Sequence, residues 1–310
     1  PSSSAPPRPP PPPTLPPPRP TPPPPPPSPP PAPPPFFFYA GRCGIASVVS
    51  WQEYDDDTAE VHVSMARRVA GGEWIAERRV LGPFAASEQR VSVHSLAVRD
   101  AEAIVAVLAG EQEVRVFGVS VAVVPFAPTE LDTVRLQAPS VAPRLSTASD
   151  GTLLLFVVQD GGDFQTIFVT RSADGSRWQG EQLLVSEPDL PLTFSPTHAV
   201  HGGRDYVAFQ SQTVGEETQR QELFLKASDD GGRTWGRAQS LAFTETRAGR
   251  ERAVTDFSNE RPILASLDTG LGLVRERQFH TSPSQIYFAL LGPDGSYQLA
   301  PEQVNDAGAA

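Results

Sequence analysis

The octapeptide SDDGGRTW at 228–235 has looser copies, SADGSRW at 172–178 and GPDGSYQ at 292–298, and Trp74 follows a further glycine turn in VAGGEW. This repetition narrows the available folds more than any other feature. A recurring segment of this size has to be one supersecondary unit that buries its apolar surface against the next copy. A second marker keeps the same period. APRLSTASDG, SPTHAVHGGR and RPILASLDTG each open on a proline (Pro143, Pro196, Pro262), continue with alternating residues and end in a glycine turn.

Each module reads as four short strands. From 141 to 186, VAPRLSTAS passes through Asp150-Gly151 into TLLLFVVQ, DGGD leads into FQTIFVTRS, and ADGSR leads into GEQLLVS. Alternating or apolar runs broken by Gly/Asp turns are hairpin signals. The same order recurs at 195–243 and 261–303, with weaker modules at 36–81 and 90–125. No amphipathic helix stands out. The pattern predicts an all-β chain with about five four-stranded blades of a β-propeller.

The repeated turn resembles the Asp box, S-x-D-x-G-x-T-W, of the sialidase-like (BNR-repeat) β-propeller family. Ser228, Asp230, Gly232, Thr234 and Trp235 match every position; Ser172, Asp174, Gly175 and Trp178 form a shortened copy without the Thr. The resemblance covers roughly 36–303. In physical terms the Asp carboxylate accepts backbone N–H groups inside the turn, the Gly supplies a positive φ, and the Trp packs over the hairpin. These residues are therefore expected to be structural. The family's propeller has six blades, so the resemblance implies an incomplete ring, truncated after the fifth. It also implies, for a sialidase-type enzyme, a base at Glu260 and a carboxylate-binding role for Arg275 in NERPILASLDTGLGLVRER. No nucleophilic Tyr can be assigned, and Tyr287 falls inside a strand.

Strand order sorts the loops. Turns between third and fourth strands share one rim, and loops between second and third strands share the other. The latter read QEYDDDT, GEQ, QDGGDF, TVGEETQ and RQFHTSP. They gather Asp55, Asp56, Asp57, Asp160, Asp163, Glu216 and Glu217, with Glu111, into an acidic candidate ligand face. Such a face repels an anionic sugar and suits a cationic protein or peptide. Asp160-Gly-Gly-Asp163 could contact Ca²⁺, but no cofactor or metal centre is indicated. His198 and His201 stand at an offset that sends strand side chains to opposite faces, so they do not read as a metal pair.

Composition bounds the rest. Residues 1–35 hold 24 of the 36 prolines and read as a polyproline spacer ahead of a 36–310 propeller. The net charge of −11 argues against binding nucleic-acid phosphates. No apolar run is long enough to span a bilayer. Cys43 is alone, so no intrachain disulfide forms. Two functions stay open. The first is a non-catalytic binding or scaffold propeller, extracellular or at the cell surface, whose ligand is a glycan or a cationic protein. The alternative is a sialidase-type exo-glycosidase truncated in this chain.

Overall fold

The computed structural model describes residues 38–305 except 44–45, 56, 70–71, 86–93, 100, 124, 161–164, 188–189, 191, 214–219, 243, 248–249, 254–256 and 280–281. The chain divides into two units, Pro1–Pro33 and Pro34–Ala310. The first unit, and with it the spacer expected there, lies outside the described residues.

The second unit is a β-propeller. Blade 1 is β1 (Phe38–Cys43), β2 (Ala46–Asp55), β3 (Glu60–Val69) and β4 (Ile75–Ala85). Blade 2 is β5 (His94–Arg99), β6 (Glu102–Leu108), β7 (Glu113–Ser120) and β8 (Pro128–Arg135). Blade 3 is β9 (Ser140–Thr147), β10 (Leu153–Asp160), β11 (Gln165–Ser172) and β12 (Gln182–Leu183). Blade 4 is β13 (Leu192–His201), β14 (Arg204–Thr213), β15 (Arg220–Ser228) and β16 (Gln239–Ser240). A hairpin of β17 (Thr244–Arg247) and β18 (Arg250–Ala253) precedes blade 5, which is β19 (Phe257–Leu267), β20 (Gly270–Phe279), β21 (Ser282–Leu291) and β22 (Tyr297–Gln303). Every blade is an antiparallel meander in sequence order, and one parallel bridge, Gln165 to Leu192, joins blades 3 and 4. None of the described residues is helical, and no helix is long and apolar enough to cross a membrane.

Blade 2 ends ten residues later than the sequence suggests, at Arg135 rather than 125. Pro128 reads as a strand breaker, yet it is the first residue of the outermost strand, where the missing N–H breaks no ladder.

The first strand of each blade is innermost: β1 packs on β5, β5 on β9, β9 on β13, and β13 on β19. No comparable packing joins β19 to β1 among the described residues, so the described ring is open between blades 5 and 1. Strands in the middle of a blade are buried on both faces, which explains their unbroken apolar runs. In β10, Leu153, Leu155 and Val157 enter the core shared with blades 1 and 2, while Leu154, Phe156 and Val158 enter the core shared with blade 4. Each such side chain contributes about 1.5–3 kcal/mol. A third core joins Tyr206, Ala208 and Leu223 of blade 4 to Leu264, Leu271 and Leu273 of blade 5.

The repeated prolines do not open their modules. They sit inside inner strands at β-bulges. Ladder register shifts opposite Pro143 in β9, and again between Phe194 and Thr197 and between Glu260 and Ile263. A residue without an N–H fits where the ladder already skips a bond. Ser195 and Arg261, each just before its proline, take positive φ values of 53° and 48° to turn the chain there.

One seam rule recurs. The turn between third and fourth strands meets the first-to-second turn of the preceding blade. Arg99 of blade 2 donates to the Ala173 carbonyl of blade 3. Asp150 of blade 3 lies 3.2 Å from Arg233 of blade 4, and Arg204 of blade 4 donates to the Pro293 carbonyl of blade 5 at 3.3 Å. The turn aromatic then enters the same seam: Trp178 joins the first core, Trp235 the second and Tyr297 the third.

Candidate functional site

Inner strands begin at the rim that carries the second-to-third loops, and their first halves bring polar side chains together. His94 opens β5 and is fully buried. Its Nε2 lies 3.2 Å from Ser50 Oγ and its Nδ1 3.4 Å from Gln52 Oε1. Gln52 donates in turn to the Tyr54 hydroxyl at 2.8 Å. Burial pushes the His94 pKa down to about 4, so the ring is neutral at physiological pH. Tyr39 of β1 meets this ring edge-on at 4.9 Å. From β9, Arg144 donates to the Tyr39 hydroxyl, its guanidinium 5.3 Å from the Tyr39 ring centre. Burial lowers the Arg144 pKa to about 10, and the side chain stays a cation.

The five inner strands carry Arg42, Arg99, Arg144 and Arg261 against a single carboxylate, Glu260. In a chain of net charge −11 this is a local inversion of sign. Glu260 stands opposite Glu276 in the β19–β20 ladder, next to the position of Arg275. Two carboxylate-bearing positions therefore meet at the rim end of blade 5.

Arg275 itself points between blades 4 and 5. It is 1% exposed and none of its three guanidinium nitrogens has a hydrogen bond of normal geometry. Burial lowers its pKa, and the Tyr297 hydroxyl is its chief compensating neighbour. Arg277, one step along the same face, lies 4.3 Å from the Tyr287 ring centre. The fold thus brings Glu260 and Arg275 into neighbouring register and seats the Arg275 side chain in a seam core.

Of the acidic rim, Asp55, Asp57 and the exposed Glu111 are described, and Asp160 is placed at the end of β10. Asp56, Asp163, Glu216 and Glu217 lie outside the described residues. Asp55 is met by Arg79 at 3.2 Å. Although burial works against it, backbone N–H groups of Thr58 and Asp57, with Arg79, hold its carboxyl below the usual range. Glu53 beside it is gripped by Arg78 at 2.6 Å and by Ser64 at 2.6 Å, which takes its pKa to about 2. These two carboxylates are paired, so the rim of blade 1 is less acidic than its sequence. No group of three or more His, Cys, Asp or Glu side chains that could hold a metal occurs among the described residues.

On the opposite rim, Asp230 Oδ1 accepts the N–H groups of Arg233 and Thr234, both at 2.9 Å, and Oδ2 accepts the Thr234 hydroxyl at 2.6 Å. Ser228 Oγ accepts the Gly232 N–H at 2.9 Å. Gly232 has φ +75°, and a Cβ there would meet Leu154 and Trp235 at 3.2 Å. In the shorter copy Asp174 accepts Ser176 N–H at 2.9 Å, Ser172 accepts Gly175 N–H at 2.8 Å, and Trp178 Nε1 donates to the Gly175 carbonyl at 3.1 Å.

The cluster of Tyr39, His94 and Arg144 escapes a linear reading because each residue comes from a different blade. The available signal was one polar or aromatic residue at about one module's spacing in successive first strands.

No family model matches the chain, and no curated protein matches it. Solved structures do. A protein of unknown function from Dyadobacter fermentans aligns with a TM-score of 0.60 at 13% identity over 89% of this chain and 84% of that one. The GH93 α-L-arabinofuranosidase of Fusarium graminearum, in complex with arabinobiose, aligns with a TM-score of 0.57 at 11% identity over 88% and 81%. A thermostable family-43 glycoside hydrolase aligns with a TM-score of 0.51 at 10% identity over 87% and 93%. At these identities the likeness is one of fold, the β-propeller.

Proposed function

We propose that this chain is a carbohydrate-active β-propeller of the glycoside-hydrolase type, taking its glycan at the rim end of the inner strands. The observation that carries the reading is the Tyr39, His94 and Arg144 cluster at that rim of blades 1 to 3, and blade 5 adds the facing Glu260/Glu276 ladder positions. The Tyr39 phenol and the Arg144 guanidinium suit sugar hydroxyls, and the buried His94 ring packs edge-on against Tyr39 to position it. Glycoside hydrolysis uses two carboxylates, one as acid and one as nucleophile or base. Glu260 with Glu276 is the carboxylate pair that the inner ladders offer. The arabinose-active fold neighbour and the Asp-box resemblance both support a carbohydrate ligand, and they leave the sugar open between arabinofuranosides and sialosides.

A second reading, glycan binding without turnover, is favoured by the single carboxylate on the inner strands and by the ion pair of Glu276 with Arg261 at 3.0 Å. A panel of chromogenic α-L-arabinofuranosides, β-xylosides and sialosides separates the two. Hydrolysis is expected, reduced at least a hundredfold by Glu260→Gln and by Glu276→Gln. Oligosaccharide binding without hydrolysis, weakened by Arg144→Gln, would support the second reading. Neither hydrolysis nor binding across the panel would overturn both.

A further inference from the structure

The open side of the ring has two unlike walls. Of the nine exposed large hydrophobic side chains among the described residues, six lie on blade 1 or blade 5. On blade 1 they are Trp74 at 46%, Ile75 at 47% and Val69 at 40%; on blade 5 the largest exposures are Ile263 at 61% and Leu267 at 40%. At the other seams such surfaces are covered. Leu264, the neighbour of Ile263 that faces blade 4, is only 5% exposed.

The seam rule says what each wall lacks. In blades 3, 4 and 5 the aromatic of the third-to-fourth turn fills the core shared with the preceding blade. Trp74 occupies the corresponding turn of blade 1 and has no preceding blade to fill. Blade 5 presents an apolar face that no following blade covers. The polar part of the rule is also divided between the walls. Asp150, in the first-to-second turn of blade 3, pairs with Arg233 from the next blade. Asp268 holds the corresponding turn of blade 5 and is exposed, while the exposed Arg68 lies 5.2 Å over the Trp74 ring on blade 1.

We propose that these walls are a self-association surface, in which blade 5 of one copy receives the Trp74 turn of a second copy and Asp268 meets Arg68 across the contact. Each wall supplies what the other lacks, in apolar surface and in charge, and among the described residues of one chain the two do not pack together. Because the contact joins two different surfaces, it is heterologous. It gives a closed assembly if the rotation between copies permits and a chain of copies if it does not.

Sedimentation velocity of the full chain across a concentration series tests this. Reversible association is expected, weakened at least tenfold by Trp74→Glu or Ile263→Glu, since a central aromatic anchor usually dominates such contacts. Asp268→Arg should weaken it, and adding Arg68→Asp should restore it. All four positions are exposed, and unchanged circular dichroism would show that the variants fold. A chain that stays monomeric to about 100 µM, well above the micromolar range of standard interfaces, would overturn the proposal. So would association indifferent to these substitutions, or a charge exchange that fails to rescue.

Discussion

His198 Nε2 lies 3.0 Å from Asp205 Oδ1, and both side chains are out of water at the seam between blades 3 and 4. The ring's other nitrogen, Nδ1, lies 2.6 Å from Ser146 Oγ on blade 3. Asp205 also accepts the Ser149 N–H at 2.9 Å and its hydroxyl at 2.5 Å. The order serine, histidine, aspartate matches a nucleophile relay, but Phe156 and Trp235 pack about the imidazole and both its nitrogens are engaged. The chain fastens two blades. Asp205→Ala orphans one backbone donor, one hydroxyl and the imidazole together, and should cost about 2–4 kcal/mol in urea unfolding. His198→Ala leaves the Ser149 bonds intact and should cost less. The reverse order would contradict this account.

His94 predicts a pH dependence. Its pKa falls from 6.5 to about 4 on folding because burial disfavours the charged ring. The unfolded chain therefore binds a proton that the folded chain refuses. Stability from this group is complete above pH 6.5 and declines as pH falls toward 4, by about 3 kcal/mol in total. Urea midpoints measured from pH 7 to pH 4 should show the decline, and His94→Gln should flatten it. An unchanged slope in the variant would assign the acid sensitivity elsewhere.

The Asp230 turn acts at lower pH. The Thr234 hydroxyl is the largest influence holding its carboxyl down, at about 2, with burial opposing and backbone N–H groups assisting. A carboxylate depressed from 3.8 contributes stability that is full above 3.8 and lost as pH falls through about 2. Asp230→Ala should lower stability at pH 7 by about 1–2 kcal/mol, the worth of its exposed hydrogen bonds, without altering glycan binding or turnover. A large loss of activity with intact stability would move Asp230 from the turn to the chemistry.

The strands were legible in the sequence because each middle strand is a short apolar run closed by Gly and Asp, and those turns have strong local preferences. Trp178 and Trp235 were legible as hairpin covers, but not as seam fillers, since the neighbour they fill comes from the preceding repeat. Pro143, Pro196 and Pro262 marked the period correctly and the boundary wrongly. A bulge inside a strand leaves the same proline signature as a strand start. Tyr39, His94 and Arg144 were illegible because no local pattern distinguishes an axial polar residue from an ordinary strand residue. Only the stacking of inner strands brings them together. The acidity of loop 52–58 was overestimated because Arg78 and Arg79, which pair with Glu53 and Asp55, lie one hairpin away in sequence.

Lys226 is the only lysine of the chain, and its side chain is 4% exposed. Its ammonium lies 2.9 and 3.0 Å from the two oxygens of Glu187, which also accepts the Ala238 N–H at 2.9 Å. Glu187 comes from the segment between blades 3 and 4, so the pair ties that connection to the third strand of blade 4. An amine-reactive acylating reagent should therefore leave Lys226 unmodified in the native protein. In denaturant Lys226 should react, and peptide mass spectrometry reads the site in both states. Glu187→Gln removes one partner of a mostly buried pair, which should cost about 3 kcal/mol and raise the native labelling rate. Native labelling of Lys226 as fast as in denaturant would mean that the ammonium is solvated and the tie is absent.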